Sequence, residues 1–174
     1  MDAINYLDNF QKAASQLDKK LLKHADVEVA TGIYLNAIFL KLYKRSWANP
    51  FQDPLIAESR IFFSIWINDN SSEVTEQDLF YNIHALKLRY LKNYSMESRK
   101  FADSFRLKFK SYANRWENVN LNFGPLTLMQ GNIKVDQENL QQKIIELSYS
   151  FLEIEHLIDQ TLGEFIKKEQ RLKI

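Results

Sequence analysis

Val27-Glu28-Val29-Ala30-Thr31-Gly32-Ile33-Tyr34-Leu35-Asn36-Ala37-Ile38-Phe39-Leu40-Lys41-Leu42-Tyr43-Lys44-Arg45-Ser46-Trp47 is a long apolar run, and how it is read decides the fold. Ile33, Leu35, Ala37, Ile38, Phe39, Leu40, Leu42 and Tyr43 nearly surround a helical cylinder, which predicts a helix buried on most sides. Upstream, between Asp2 and His24, Ile4, Leu7, Phe10, Ala14, Leu17 and Leu21 recur three or four residues apart. Asp8, Lys12, Asp18, Lys19 and Lys23 fall mostly between them, so this segment reads as an amphipathic helix. The linker between the two is only a few residues, which suits an antiparallel helix pair.

Downstream, Asn49-Pro50 and Asp53-Pro54 end the second helix, because proline lacks a backbone donor and restricts the residue before it. Ile61 to Ile67 reads equally as a strand or a buried helix. Thr75-Glu76-Gln77-Asp78 resembles a capping box, and Leu79, Ile83, Leu86 and Tyr90 then share a helical face. Ser95 or Ser98 caps a further helix, in which Phe101, Phe105, Phe109, Tyr112 and Trp116 wind an aromatic stripe that belongs to the core. Alternation from Val119 to Val135 about Gly124-Pro125 predicts a small β-hairpin or minor sheet.

The last segment, Asp136 to about Leu172, carries a seam of Leu140, Ile144, Leu147, Phe151, Ile154, Ile158 and Phe165. Such a helix would run ~50 Å, against ~40 Å for a compact domain of this length. It must therefore end or bend near Gly163, or protrude toward a partner. The expected fold is mainly α, an antiparallel bundle of about five helices with that minor β element, in a single mainly helical domain over residues 1–174.

Composition narrows the chemistry. The 174 residues contain 23 Lys and Arg against 22 Asp and Glu, so overall charge gives no pull toward nucleic acid or an anionic membrane. No cysteine is present, which excludes disulfides, thiolate metal sites and cysteine nucleophiles. The N-terminal residues show neither the basic nor the apolar region of a cleaved signal peptide, and no uncharged apolar run reaches membrane-spanning length. A cytoplasmic protein with no membrane association is expected.

The constellations that carry catalysis are sparse. A ferritin-like carboxylate centre needs two Glu-x-x-His pairs, and only Glu153 and His156 form one. His24, His84 and His156 fall on three predicted helices, and whether they converge is open. No nucleophile elbow or phosphate-cradling glycine loop occurs. From Lys87 to Arg115, nine basic residues face two acidic ones, a local charge of +7. Arg99, Arg106 and Lys110 are the candidate nucleic-acid contacts within it, although helical geometry sets them opposite the aromatic stripe. The expected function is an interaction or scaffold protein without a cofactor and not an enzyme, with a homodimer through the C-terminal helix as its partner arrangement. A nucleic-acid-associated protein is the alternative, and a metal-dependent enzyme built on the histidines the third reading.

Overall fold

The run from Val27 to Trp47 is a β-hairpin, not a helix. In the computed structural model, which describes residues 3–69 and 76–168, β1 (Glu28–Tyr34) and β2 (Ala37–Tyr43) pair antiparallel, with Tyr34 opposite Ala37. Leu35 and Asn36 form the two-residue turn, with φ of 46° and 62°. Positive φ at both positions is the geometry whose twist matches that of paired strands. The helical reading failed because both faces of the hairpin are apolar. Val29, Ile33, Ile38, Leu40 and Leu42 point to one side and Tyr34, Ala37, Phe39 and Tyr43 to the other, so the two-residue period is hidden.

Three further strands, β3 (Arg60–Asn68), β4 (Gln77–Leu86) and β5 (Thr127–Val135), extend this hairpin into an antiparallel sheet of order β1-β2-β3-β4-β5. Residues 60–67, left open between strand and helix, are strand. The helix expected from Thr75 to about Lys92 is replaced by β4. Thr75 lies outside the described residues, while Gln77 and Asp78 open the strand. The expected bundle of about five helices is thereby overturned: among the described residues the chain forms a five-stranded antiparallel sheet and four α-helices. The β element expected within Val119–Val135 supplies β5, but its partner is β4. Residues 119–126 form a loop tied on by a bridge between Asn120 and Gln130.

The helices are α1 (Ala3–Gln16), α2 (Lys19–His24), α3 (Ser98–Phe109) and α4 (Leu140–Gly163). The single helix expected over Asp2–His24 is split, because Asp18 caps α2 by accepting bonds from the Lys20 and Leu21 amides. α4 touches both α1 and α3, and the three form one layer against the sheet. Ile61, Phe63, Ile65, Ile67, Leu79, Tyr81, Ile83 and Ala85, alternate residues of β3 and β4, face that layer and are buried. Phe63 stacks on Phe151 at 4.5 Å, and the α3 stripe supplies Phe101, Phe105 and Phe109.

α4 has 24 residues and so runs ~36 Å, which fits a compact domain. Its seam residues Leu140, Ile144, Leu147, Phe151, Ile154 and Ile158 are buried in the chain's own interior. Past Gly163 the chain docks on the residues before α3: the Ser95 amide donates to the Phe165 carbonyl at 2.8 Å and the Lys167 amide to Asn93 at 3.0 Å. At the other end of the sheet, buried Lys44 places its ammonium 2.5 Å from Glu155 and 2.6 Å from Asp159, while the Trp47 indole N–H donates to Asp159 at 2.7 Å. Burial pulls the Lys44 ammonium down, but the two carboxylates outweigh it and hold it above its ordinary value. Among the described residues no helix is long and apolar enough to cross a membrane.

Candidate binding face

With the helices on one side, the other face of the sheet is left open among the described residues, and its residues follow from strand register. One cross-strand row runs Gly32, Phe39, Trp66, Phe80, Asn132; the next runs Ala30, Lys41, Ser64, Asn82, Gln130; and Phe62 pairs with His84. Of these, Phe39, Lys41, Phe62, Ser64, Trp66, Asn82 and His84 line a groove of about 320 Å³, bounded by Tyr34 at the β1 end and by Arg60 and Leu86 at the other. Gly32 is needed there: a Cβ would sit 2.8 Å from the Phe39 ring, so the ring lies across the glycine it pairs with. Trp66 stacks on Phe80 at 5.3 Å.

Two cations are set among these rings. The Lys41 ammonium lies 4.7 Å from the centroids of both Phe39 and Phe62, and the Arg60 guanidinium 5.3 Å from Phe62. His84 closes over the same ring at 5.4 Å, leaving Phe62 buried although it points away from the core. No ion pair among the described residues involves Lys41 or Arg60. Burial, helped by the neighbouring Arg60 charge, pulls Lys41 below its ordinary value, and burial does the same to Arg60. Arg60 donates through one terminal nitrogen to the Ala57 carbonyl, while its buried Nε has no partner. The face's carboxylates, Glu28 and Asp78, lie outside the groove and are paired with Arg45 and Lys134.

A polar chain crosses the floor. The Ser64 hydroxyl donates to Asn82 Oδ1 at 2.8 Å, and Asn82 Nδ2 donates to His84 Nε2 at 2.8 Å and to Gln130 at 3.3 Å. His84 Nε2 is thus an acceptor, and Nδ1 carries the proton, donated to the Leu126 carbonyl at 3.3 Å. Burial first, opposed by that carbonyl bond and reinforced by Lys41 and Arg60, lowers the His84 pKa. The imidazole is neutral at neutral pH with both nitrogens engaged. An amide stands between Ser64 and the imidazole, so no base reaches the hydroxyl.

The residues singled out from sequence lie elsewhere, His84 excepted. Arg99 and Arg106 lie on α3 and Lys110 follows its last residue; Arg99 and Lys110 are exposed. Arg106 folds onto the loop before β5 and donates to the carbonyls of Phe123, Gly124, Thr127 and Leu128, between 2.8 and 3.1 Å. Of the remaining basic stretch, Lys87, Lys100, Lys108 and Arg115 pair with Glu58, Glu97, Glu164 and Glu153.

The histidines do not come together. His24 ends α2, beside a hollow of about 600 Å³ that also includes Asp26, Lys44, Glu153 and Glu155. His156 sits on α4 against Tyr112, and His84 is on the open sheet face. Among the described residues no group of three or more His, Cys, Asp or Glu is placed to hold a metal ion.

Sequence reasoning missed Lys41, Arg60, Phe62, Trp66 and Asn82. Their signal was the two-residue spacing of Arg60, Phe62, Ser64 and Trp66, which becomes visible once residues 60–68 are read as a strand. No protein-family model, no curated protein and no solved structure matches the chain, so what is said of function rests on this geometry.

Proposed function

We propose that this is an interaction protein that works by binding, without a cofactor, and that the groove on the open sheet face is its binding surface. The observation that carries this reading is the combination of an aromatic floor with two unpaired cations on a face outside the helical layer. Partly burying a cation without a carboxylate costs folding free energy. Groups kept at such a cost belong to sites where a ligand supplies the missing interaction. The basic stretch from Lys87 to Arg115 gives less support to nucleic-acid binding, since Arg106 is engaged by backbone carbonyls and four of its neighbours by carboxylates. A cytoplasmic setting belongs to the same reading, because a cysteine-free chain draws nothing from an oxidising compartment.

Amide chemical-shift mapping with indole and benzyl alcohol, two neutral aromatic probes, tests the surface. Perturbations are expected at Phe39, Lys41, Phe62 to Trp66 and Asn82 to His84. Perturbations confined to the helical layer or to the hollow beside α2, or none at all, would refute the assignment.

A further inference from the structure

Resting on the groove as the binding surface, we propose that its occupant is a small aryl carboxylate, its ring laid on Phe39 and Trp66 and its carboxylate received between Lys41 and Arg60. The ring follows from the floor: Phe39 and Trp66 are directly opposed across β2 and β3, and Phe39 is laid across Gly32. Flat aromatic surfaces of this kind favour a flat aromatic partner. The anion follows from the charges. Lys41 and Arg60 both lie against Phe62, neither meets a carboxylate, and Arg60 retains an unsatisfied buried N–H. A carboxylate there would relieve their mutual repulsion and offer acceptors to both, the guanidinium fork being well matched to carboxylate geometry.

Three observations favour a small molecule over larger occupants. The volume of about 320 Å³ lies at the small end of ligand sites. The groove is on the face of the sheet, where backbone groups of β2, β3 and β4 are already paired, so a peptide cannot add itself as a strand as it does at an edge. A second copy docking face to face through a two-fold axis would set Lys41 and Arg60 against their own equivalents, with no carboxylate in the groove to answer them.

The test is an amide-detected titration of the full chain with 2-naphthoate, its neutral analogue 2-naphthamide, and acetate. It is repeated on Lys41→Met, which keeps the stem and removes the charge, on Arg60→Gln and on Trp66→Leu. 2-Naphthoate is expected to perturb the open face and to bind about tenfold or more tightly than 2-naphthamide, as a charge-assisted hydrogen bond implies. Acetate alone should not saturate at the same concentrations. Lys41→Met or Arg60→Gln should each narrow the difference between the two naphthyl probes, the two substitutions together should abolish it, and Trp66→Leu should weaken both.

Equal affinity of the two probes for the unaltered groove overturns the carboxylate while leaving the binding surface in place. Failure of both naphthyl probes to perturb the face overturns the occupant and the surface together. An oligothymidylate binding there more tightly than 2-naphthoate, or sedimentation showing self-association blocked by Lys41→Met, replaces the proposed occupant and overturns it.

Discussion

Replacing Lys44 by methionine keeps the length of the stem and removes a charge on which two helix carboxylates depend. Lys44 and Glu155 have side chains only 9% and 13% exposed, so deleting the cation leaves the Glu155 carboxyl nearly buried without its counter-charge. Breaking a buried pair by removing one partner costs about 3–5 kcal/mol. Asp159 adds little, because its side chain is 46% exposed and it keeps the Trp47 indole bond. For a chain of this length each kcal/mol is worth about 2–4 °C, so the melting temperature should fall by roughly 10 °C. Lys44→Met combined with Glu155→Met should recover most of the loss, since a buried pair replaced by apolar residues is often neutral. Urea unfolding followed by circular dichroism reads both variants, with an unchanged dependence on denaturant as the sign that the fold is intact. A loss under about 1 kcal/mol in the single variant, or a double variant no more stable than the single, would show that Lys44 acts through packing and not as a counter-charge to Glu155.

Gly131→Ala should destabilise by about 1–3 kcal/mol in the same assay, because its Cβ would fall 2.2 Å from the Tyr81 hydroxyl, which is itself bonded to the Glu117 carbonyl; stability equal to the parent would mean that β4 and β5 are not paired in this register. His84 should titrate below the ordinary histidine value of about 6.5 when followed by its ring proton resonances. Since its folded-state pKa is depressed, the stability linked to it is present above the unfolded value and lost as pH falls through the folded one. Thermal stability should therefore decline on acidification below about pH 6.5, less steeply in His84→Gln; an identical slope in that variant would remove His84 as the cause.

How much was legible in the sequence can be traced to particular residues. The α4 seam and the first three residues of the α3 stripe were readable because Leu140 to Ile158 and Phe101, Phe105 and Phe109 bury one helical face, but α3 ends at Phe109 and Tyr112 and Trp116, expected on the same helix, lie past it. Gly163 marked the end of α4, since a longer rod would have outrun the domain. The strands were obscured wherever the outer face is also apolar. In β2 the outward Ala37, Phe39 and Tyr43 masked the alternation of Ile38, Leu40 and Leu42. In β4 the helical spacing of Leu79, Ile83 and Leu86 competed with the true period of Leu79, Tyr81, Ile83 and Ala85.

The same ambiguity hid the candidate site. The aromatic residues that line the proposed binding surface are those that disguise its strands, and Lys41 and Arg60 are far apart in the chain until β2 and β3 pair. Basic residues that stood out by local density, such as Arg106 and Lys108, are instead engaged by carbonyls and by Glu164.

Quenching of tryptophan fluorescence by iodide and by caesium tests the central claim most directly. Trp47 and Trp116 are buried, and Trp66 on the open face is only partly so. An anionic quencher drawn by Lys41 and Arg60 should reach Trp66 more effectively than the cationic one, and Lys41→Met with Arg60→Gln should remove the difference. Weak quenching by both ions, or caesium outperforming iodide, would contradict an open cationic face on the sheet.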